Sequence, residues 1–177
     1  MNTCIKNIKF NPIKVDEKLF RGASIHTAKK IKKMKSLGVT QIIDLRNTSG
    51  ILGIIERILC KIYGIKYVNY KYPYRLNGVP DIDFFEKINH SIVNNNGKTY
   101  IHCRYGKRRT GVAVAIYEKK YTNKSHKDII ENMLNIGYKE LLKDTFNLKR
   151  EKLKKIFSEF IKKYFPDYKN SQVIKTN

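Results

Sequence analysis

The sequence predicts an α/β fold, a three-layer sandwich in which helices cover both faces of a central and mostly parallel sheet. Strand-like and helix-like segments alternate three times before residue 103, the pattern that right-handed crossovers between parallel strands produce. Hydrophobic residues make up 41% of the 177 residues and aromatic residues 11%, which is enough for one core. The sequence contains no internal repeat and no low-complexity linker. One domain is therefore expected.

The first predicted elements are two helices and two strands. The segment SIHTAKKIKKMKSLG has Ile31, Met34 and Leu37 at helical spacing and ends in glycine, which predicts a helix. The β-branched run VTQIIDLR, residues 39–46, predicts a buried strand. GILGIIERILCKIYG then predicts a second helix that ends at Gly64, and IKYVNYKY predicts the next strand.

A third helix and a third strand follow. After the loop PYRLNGVP, the segment DIDFFEKINHSIVNNNG keeps an apolar helical face that includes Ile82, Phe85 and Ile88. Asn and Gly residues then end this helix. KTYIHC predicts a strand that finishes at Cys103.

The rest of the chain is predicted to be mainly helical. GVAVAIYEKKY continues as a helix, and SHKDIIENML begins with Ser125 and Asp128 at capping-box spacing. A long amphipathic helix is predicted at residues 145–165. We expect a single domain at residues 1–165 and a loose tail at residues 166–177.

The charge of the chain favours anionic partners. Thirty-seven Lys and Arg residues against 15 Asp and Glu give a formal net charge of +22. A field of this size steers anions, and phosphorylated molecules above all, toward the protein. The alternative is a solvated, lysine-rich surface without a partner.

The cysteines and the apolar runs indicate the compartment. Cys4, Cys60 and Cys103 are too few and too scattered for a disulfide framework or a tetrahedral zinc site. The start, MNTCIKNIKF, lacks the apolar run of a signal peptide, and no segment has the length of a membrane helix. These features predict a cytoplasmic protein without a membrane span or a bound metal, and they make no prediction of oligomeric state.

The stretch IHCRYGKRRTG, residues 101–111, combines a strand end with a dense set of cations. Ligands of α/β folds bind beyond the carboxyl ends of the strands, and a strand-to-helix loop directs backbone N–H groups at an anion. The same field lowers a thiol pKa from about 8.5 to between roughly 3.5 and 7.5. Cys103 is therefore predicted to be a nucleophilic thiolate. The alternative is an ordinary strand-end cysteine beside a basic turn.

Other residues of this stretch fit the binding of a phosphoryl group. The planar guanidinium of Arg109 can hold two phosphoryl oxygens at once. Gly106 and Gly111 allow unusual backbone angles and a close approach to the ligand. Thr110 is expected to donate a hydrogen bond to the sulfur, and His102 to orient the loop rather than transfer a proton.

HCRYGKRRTG resembles the His-Cys-(x)5-Arg-Thr/Ser-Gly signature of the cysteine-dependent protein tyrosine and dual-specificity phosphatases. LFRGASI and LGVTQIIDLR resemble flanking segments of the compact atypical dual-specificity enzymes, so the resemblance covers roughly residues 18–140. It implies a phosphatase-like fold and a two-step hydrolysis through a phosphocysteine on Cys103, without metal or cofactor. It also implies a phosphate-binding loop whose members are Arg104, Tyr105, Gly106, Lys107, Arg108 and Arg109.

The resemblance also calls for a general acid, which members of this family usually take from an aspartate on a separate loop. Residues 65–80, where that aspartate would be expected, contain no carboxylate. Asp81 is our candidate, because Val-Pro-Asp resembles a stretch at this place in the atypical plant and fungal enzymes, and Asp83 is the alternative. Both residues could instead stabilise the start of a helix.

Several substrate classes remain open. A protein tyrosine or dual-specificity phosphatase acting on phosphorylated protein is the leading interpretation. Arg104, Lys107 and Arg108 add positive charge, and the GKxRTG pattern resembles inositol phosphatases and phosphoinositide phosphatases. An inositol polyphosphate or RNA 5′-phosphatase is therefore the first alternative. A basic module that binds phosphate or RNA without turnover is the second.

Two further predictions concern the interior. Asp44 and Arg46 are expected to form a buried ion-pair network near the loop. Cys60 is expected to pack in the core, because it belongs to the apolar helix GIIERILCKIY; a reversible disulfide with Cys103 is the less favoured alternative.

Overall fold

The computed structural model describes residues 12–47, 50–73, 80–138, 155 and 158–168. Its centre is a five-stranded sheet with the strand order β1-β2-β5-β3-β4. β1 is antiparallel to β2, and the other neighbouring strands are parallel. The mostly parallel sheet predicted from the sequence is thus confirmed. The strands are β1 (Ile13–Lys14), β2 (Leu19–Ala23), β3 (Val39–Asp44), β4 (Lys66–Asn69) and β5 (Lys98–Cys103).

Helices connect the strands and cover the sheet. They are α1 (Ala28–Ser36), α2 (Ile51–Ile62), α3 (Ile82–Val93), α4 (Arg108–Tyr121) and α5 (His126–Met133). A π-helical turn, Leu134–Tyr138, follows α5 directly. Residues 158–164 form a C-terminal helical segment. None of the helices in these described ranges is long and apolar enough to cross a bilayer.

Two separate apolar clusters lie on the two faces of the sheet. Adjacent strand residues such as Ile42 and Ile43, or Tyr100 and Ile101, belong to different clusters because side chains alternate across a strand. One cluster joins the sheet to α1 and α2. The other joins it to α3, α4, α5 and the C-terminal helical segment. This arrangement is the three-layer sandwich that the sequence predicts.

Several boundaries differ from the prediction. No strand was predicted before residue 28, yet β1 and β2 form there, and β2 pairs along its whole length with residues 99–103 of β5. β3 and β4 are shorter than the apolar runs 39–46 and 65–72 that predicted them. α4 begins at Arg108, ahead of the predicted Gly111.

The capping prediction for α5 is confirmed, since the Ser125 hydroxyl accepts a hydrogen bond from the Asp128 backbone N–H at 3.2 Å. The long helix predicted at residues 145–165 falls mainly outside the described residues. Where the chain is described, Phe160 and Tyr164 are buried as expected. The loop residues 74–79 and most of the predicted tail also lie outside the described residues.

Candidate active site

The sequence-predicted loop lies at the carboxyl edge of the parallel strands. Cys103 is the last residue of β5, and its register partner on β2 is Ala23, the last residue of that strand. On the other side, His102 is paired with Asp44 at the end of β3. Residues 103–109, here called the cysteine loop, then lead into α4. The loop is therefore held between the ends of two neighbouring strands.

Strand β2 fixes the shape of the cysteine loop. Gly106 has a φ of +67°, and a Cβ atom at this position would lie 2.2 Å from the Gly22 carbonyl. The buried Arg21 guanidinium donates to the carbonyl oxygens of Gly106 at 2.9 Å and Lys107 at 3.3 Å. These contacts hold two carbonyl groups of the loop against β2.

Replacing Gly106 with alanine should therefore disrupt the loop. A left-handed backbone costs a non-glycine residue about 1–2 kcal/mol, and overpacking adds about 1–3 kcal/mol. We expect urea denaturation to show a loss of about 2–5 kcal/mol in the free energy of unfolding, together with lost phosphate binding. Gly50→Ala is the control, because nothing lies within 4 Å of a Cβ at that position. Equal stability of the two variants would contradict this account.

The loop favours the ionised form of the Cys103 thiol. Cys103 is only 4% exposed, and burial by itself would raise the pKa of the thiol. Thr110 and the backbone N–H of Tyr105 act in the opposite direction, as does the charge of Arg109. Together they hold the Cys103 pKa below its ordinary value. A buried thiolate stabilised in this way is a nucleophile.

The start of α4 adds to this field. Its N-cap residue Lys107 and its first turn, all within the described chain, provide neither a side-chain capping bond nor an acidic residue. The positive end of the α4 dipole therefore lies at the end of the cysteine loop and is not offset there by an acidic side chain. The Arg109 guanidinium donates to the Leu45 carbonyl at 3.0 Å, which anchors it at the end of β3.

The remaining cations of the loop lie on the outside. Arg104, Lys107 and Arg108 are exposed, and the Arg104 guanidinium lies 5.3 Å from the centre of the Tyr105 ring. The π-helical turn after α5 packs against the same region, since a Cβ at Gly137 would lie 2.6 Å from Lys107 Cβ. The exposed surface of the cysteine loop is therefore strongly basic.

A buried ion-pair cluster supports the base of the loop. Arg46 binds both carboxylate oxygens of Asp44 and also contacts Glu56 on α2. His102 Nε2 lies 2.7 Å from a Glu56 oxygen, and its Nδ1 lies 3.3 Å from the Cys103 carbonyl oxygen. Burial alone would lower the pKa of His102, but the charge of Glu56 raises it. The Asp44–Arg46 network is as predicted; Glu56 and its contact with His102 were not predicted.

Asp44, Glu56 and His102 also form a set of potential metal ligands, with ligand atoms within 4.8 Å of one another. Both carboxylates already bind the Arg46 guanidinium. Arg46 thus supplies the positive charge that a metal ion would bring, and these residues do not fit a metal site.

Comparison with known proteins shows the family of the chain. The family model described as "Tyrosine phosphatase family" matches residues 13–164. The chain belongs to the tyrosine phosphatase family. No curated protein sequence matches the chain. The predicted resemblance to cysteine-dependent phosphatases is thereby confirmed at the level of the family.

Solved structures show the same fold. A putative phosphatase from Shewanella putrefaciens has a TM-score of 0.63 at 14% identity, with 90% of this chain and 91% of that chain covered. The core catalytic domain of the PP-IP phosphatase SIW14 from S. cerevisiae has a TM-score of 0.62 at 17% identity, covering 88% and 91%. TpbA of P. aeruginosa, in complex with phosphotyrosine, has a TM-score of 0.57 at 17% identity, covering 70% and 72%.

Asp81, the candidate general acid of this phosphatase-family chain, lies at the start of α3, on a different segment from the cysteine loop. Asp81 is the N-cap residue of α3, but its side chain makes no capping bond, and it is 85% exposed. Its observed partner among the described residues is Lys163, at 3.2 Å. Asp83 lies in the first turn of α3, where it stabilises the helix dipole. Asp81 therefore remains a prediction.

Cys60 lies in the apolar cluster on the α1 and α2 face of the sheet, whereas Cys103 belongs to the cluster on the other face. Both are free cysteines. Burial, with smaller contributions from Glu56 and Asp44, raises the pKa of the Cys60 thiol to about 12. The core-packing prediction for Cys60 is confirmed.

Cys60 and Cys103 of this phosphatase-family protein should differ strongly in their reactivity toward alkylating reagents. Because the folded-state pKa of Cys103 is lowered, its thiolate persists as pH falls until that pKa is passed, while Cys60 stays a thiol. We expect iodoacetamide to alkylate Cys103 with a midpoint below that of a free thiol, about 8.5. Mass spectrometry of peptides would follow both sites. In guanidinium chloride the difference in alkylation between the two cysteines should vanish. An alkylation midpoint of Cys103 that is unchanged by unfolding would contradict this prediction.

Proposed function

We propose that the protein is a phosphoric monoester hydrolase of the protein tyrosine or dual-specificity type, with Cys103 as nucleophile. It is supported most directly by the position of Cys103, at the carboxyl end of β5 and at the start of a loop that leads to Arg109 in the first turn of α4. The lowered pKa of the Cys103 thiol agrees with this role. Family membership alone leaves the nucleophile unassigned. The cysteine and its anchored arginine account for the nucleophile and for the charge on the equatorial oxygens, while the leaving oxygen requires a separate acid.

The first chemical step is attack of the Cys103 thiolate on phosphorus. A sulfur–phosphorus bond forms while the bond from phosphorus to the leaving oxygen breaks, and that oxygen takes a proton. Arg109 and the N–H groups of the loop bind the three equatorial phosphoryl oxygens. Arg109 is suited to this task because its contact with the Leu45 carbonyl fixes the plane of the guanidinium.

The second step is hydrolysis of the phosphocysteine. Water attacks phosphorus, inorganic phosphate leaves, and the sulfur returns to the thiolate. The buried Thr110 hydroxyl stabilises that sulfur as it departs. His102 acts as a positioning residue, since its ring is buried and held by Glu56 below the backbone of Cys103. All six residues from Arg104 to Arg109 are proposed to bind phosphate, through their N–H groups or side chains.

Asp81 is proposed to protonate the leaving oxygen. Asp81→Asn should lower kcat for alkyl phosphates by about 10²-fold or more, because an alkoxide is a poor leaving group without general acid catalysis. Aryl phosphates, whose leaving oxygen is already stable, should be affected far less. Steady-state kinetics with both substrate classes would measure this. A selective loss in Asp83→Asn instead would assign the role to Asp83, and equal losses for both classes would remove Asp81 from the mechanism.

A second candidate substrate class is favoured by the exposed Arg104, Lys107 and Arg108. Three additional cations beside the bound phosphoryl group suit inositol polyphosphates, phosphoinositides or the 5′ end of RNA better than a single phosphate. The structural similarity to the PP-IP phosphatase SIW14 agrees with this class. A phosphate-binding or RNA-binding module without turnover is the non-enzymatic alternative.

One panel of substrates separates these functions. Purified protein would be assayed for phosphate release from phosphotyrosyl peptides, inositol polyphosphates and triphosphorylated RNA, with Cys103→Ser as the blank. We expect Cys103-dependent release from at least the phosphotyrosyl peptides. Release confined to the polyphosphates would support the second class. Binding without release from any substrate, including an aryl phosphate, would overturn the enzymatic proposal.

A further inference from the structure

Helix α2 turns an apolar face away from the protein. Its buried side consists of Gly53, Glu56 and Cys60. Six large aliphatic side chains point outward and are between 36% and 73% exposed. These residues, here called the α2 apolar face, are Ile51, Leu52, Ile54, Ile55, Ile58 and Ile62. Ile51, Ile55, Ile58 and Ile62 follow the spacing of a continuous stripe along the helix.

Surface helices of globular proteins usually turn their aliphatic face toward the core, whereas α2 turns it outward. Single exposed aliphatic side chains are ordinary, but a contiguous apolar patch marks a surface that contacts something else. The sequence predicted an apolar helix here and expected its Cys60 to pack in the core. The structure instead uses the buried side for Glu56, which contacts His102, and leaves the aliphatic side open.

Exposed cations lie on α2 itself and on the neighbouring helix α1. Helix α1 lies beside α2, with the Lys35 ammonium donating to the Tyr63 carbonyl at 2.6 Å. Over the whole of α1 and α2, both fully described, Glu56 supplies the sole carboxylate, and it is buried. The exposed cations on these two helices are Lys29, Lys32, Lys33, Lys35, Arg57 and Lys61. The surface therefore combines an apolar stripe with positive charge and no exposed negative charge.

We propose that the α2 apolar face docks on the surface of an anionic phospholipid bilayer. Aliphatic side chains can enter the interface between headgroups and acyl chains, while Lys and Arg beside them bind lipid phosphates and carboxylates. The net charge of +22 strengthens that attraction. A second copy of the chain is a poor occupant, because two lysine-rich α1 helices would meet across the interface and repel each other.

Docking through α2 would also fix the orientation of the carboxyl edge of the sheet relative to the bilayer. Helix α2 follows β3, and the Leu45 carbonyl at the end of β3 binds Arg109. The first residues of the face, Ile51 and Leu52, follow Leu45 by only six and seven residues in the chain. The docking proposal does not rest on the catalytic assignment, since a catalytically inactive protein should bind the bilayer equally well.

A single introduced tryptophan gives a direct test, because the chain contains none. Ile58→Trp reports on the α2 apolar face, and Val93→Trp, at an exposed aliphatic position on α3, is the matched control. With vesicles of phosphatidylcholine and phosphatidylserine, the emission of Ile58→Trp should shift to the blue and be quenched by brominated acyl chains. Val93→Trp should show neither change, and vesicles of phosphatidylcholine alone should have a weaker effect.

Other occupants give different results, each of which overturns the proposal. A blue shift without vesicles, independent of protein concentration, would mean that another segment of the chain covers the face. A blue shift that grows with protein concentration, together with a dimeric mass in sedimentation, would mean a second copy. No shift with anionic vesicles would exclude the bilayer.

A loss-of-binding experiment separates apolar docking from attraction by charge alone. Ile58→Gln combined with Ile62→Gln should reduce partitioning onto anionic vesicles at physiological ionic strength by about tenfold or more, because two side chains lose their apolar burial. Val93→Gln should bind as the unmodified protein does. Circular dichroism would verify that both variants fold. Unchanged partitioning of the double variant would show that charge alone drives the binding and would overturn the proposal.

Discussion

Serine in place of Cys103 is expected to abolish phosphate-ester hydrolysis while leaving phosphate binding intact. A serine hydroxyl is not ionised by the N–H groups and the positive charge that lower the Cys103 pKa, because its own pKa lies far above that of a thiol. The hydrogen-bond donors of the loop and Arg109 remain in place. Loss of the nucleophile should lower kcat by about 10⁴-fold or more, as it does in other enzymes with covalent intermediates.

Cys60→Ala is the matched control for this variant. Cys60 is also a buried free thiol, but it packs on the opposite face of the sheet. Its removal should leave kcat within a few-fold of the unmodified enzyme while reducing stability by a cavity effect. Kinetics with an aryl phosphate and calorimetric titration with inorganic phosphate would measure the two properties. Substantial turnover by Cys103→Ser would remove Cys103 from the role of nucleophile.

Lysine in place of Arg109 should have the next largest effect. The charge is kept, but the planar pair of donors that binds two phosphoryl oxygens is lost, as is the geometry of the contact with the Leu45 carbonyl. Removing one well-placed donor to a transition state typically costs about 10²–10³-fold in kcat, and we expect a loss of that size. Because the ammonium still attracts phosphate, KM should change much less than kcat.

Arg108→Lys provides the comparison for Arg109→Lys. It makes the same substitution one residue earlier, at an exposed position. If binding of the transferred phosphoryl group depends on Arg109 itself, kcat for an aryl phosphate should stay within a few-fold in Arg108→Lys. A loss smaller than about tenfold in Arg109→Lys, equivalent to about 1.36 kcal/mol, would argue against its proposed role. So would equal losses in both variants.

The sequence predicts well the strands that are rich in residues of high β-propensity. β3 and β5 are evident from their β-branched runs. β2 was missed because its five residues include Arg21 and Gly22, which are poor strand formers. Both residues serve the cysteine loop: Arg21 binds loop carbonyls, and Gly22 leaves space for Gly106. Local sequence rules fail here because the strand's residues are selected for the site.

In the candidate site, too, the sequence predicts some features and misses others. Cys103, Arg109 and Thr110 lie within one short stretch, so their grouping follows from the sequence directly. The contact between Glu56 and His102 joins residues from two distant segments and depends on tertiary structure. A signal was nevertheless present: Glu56 is a lone carboxylate in an aliphatic helix, on the same side as Cys60. A carboxylate in that position requires a buried cationic partner.

The contact between Gly106 and Gly22 limits how this protein could be re-engineered. Gly22 lies between the loop on one side and Tyr100 on the other, since a Cβ there would lie 2.3 Å from the tyrosine hydroxyl oxygen. A side chain at either glycine would displace its neighbour. Transplanting a foreign recognition segment into residues 103–109 would therefore require the adjoining part of β2 to be exchanged with it. At this point the residues of the loop and the strand that supports them cannot be changed independently.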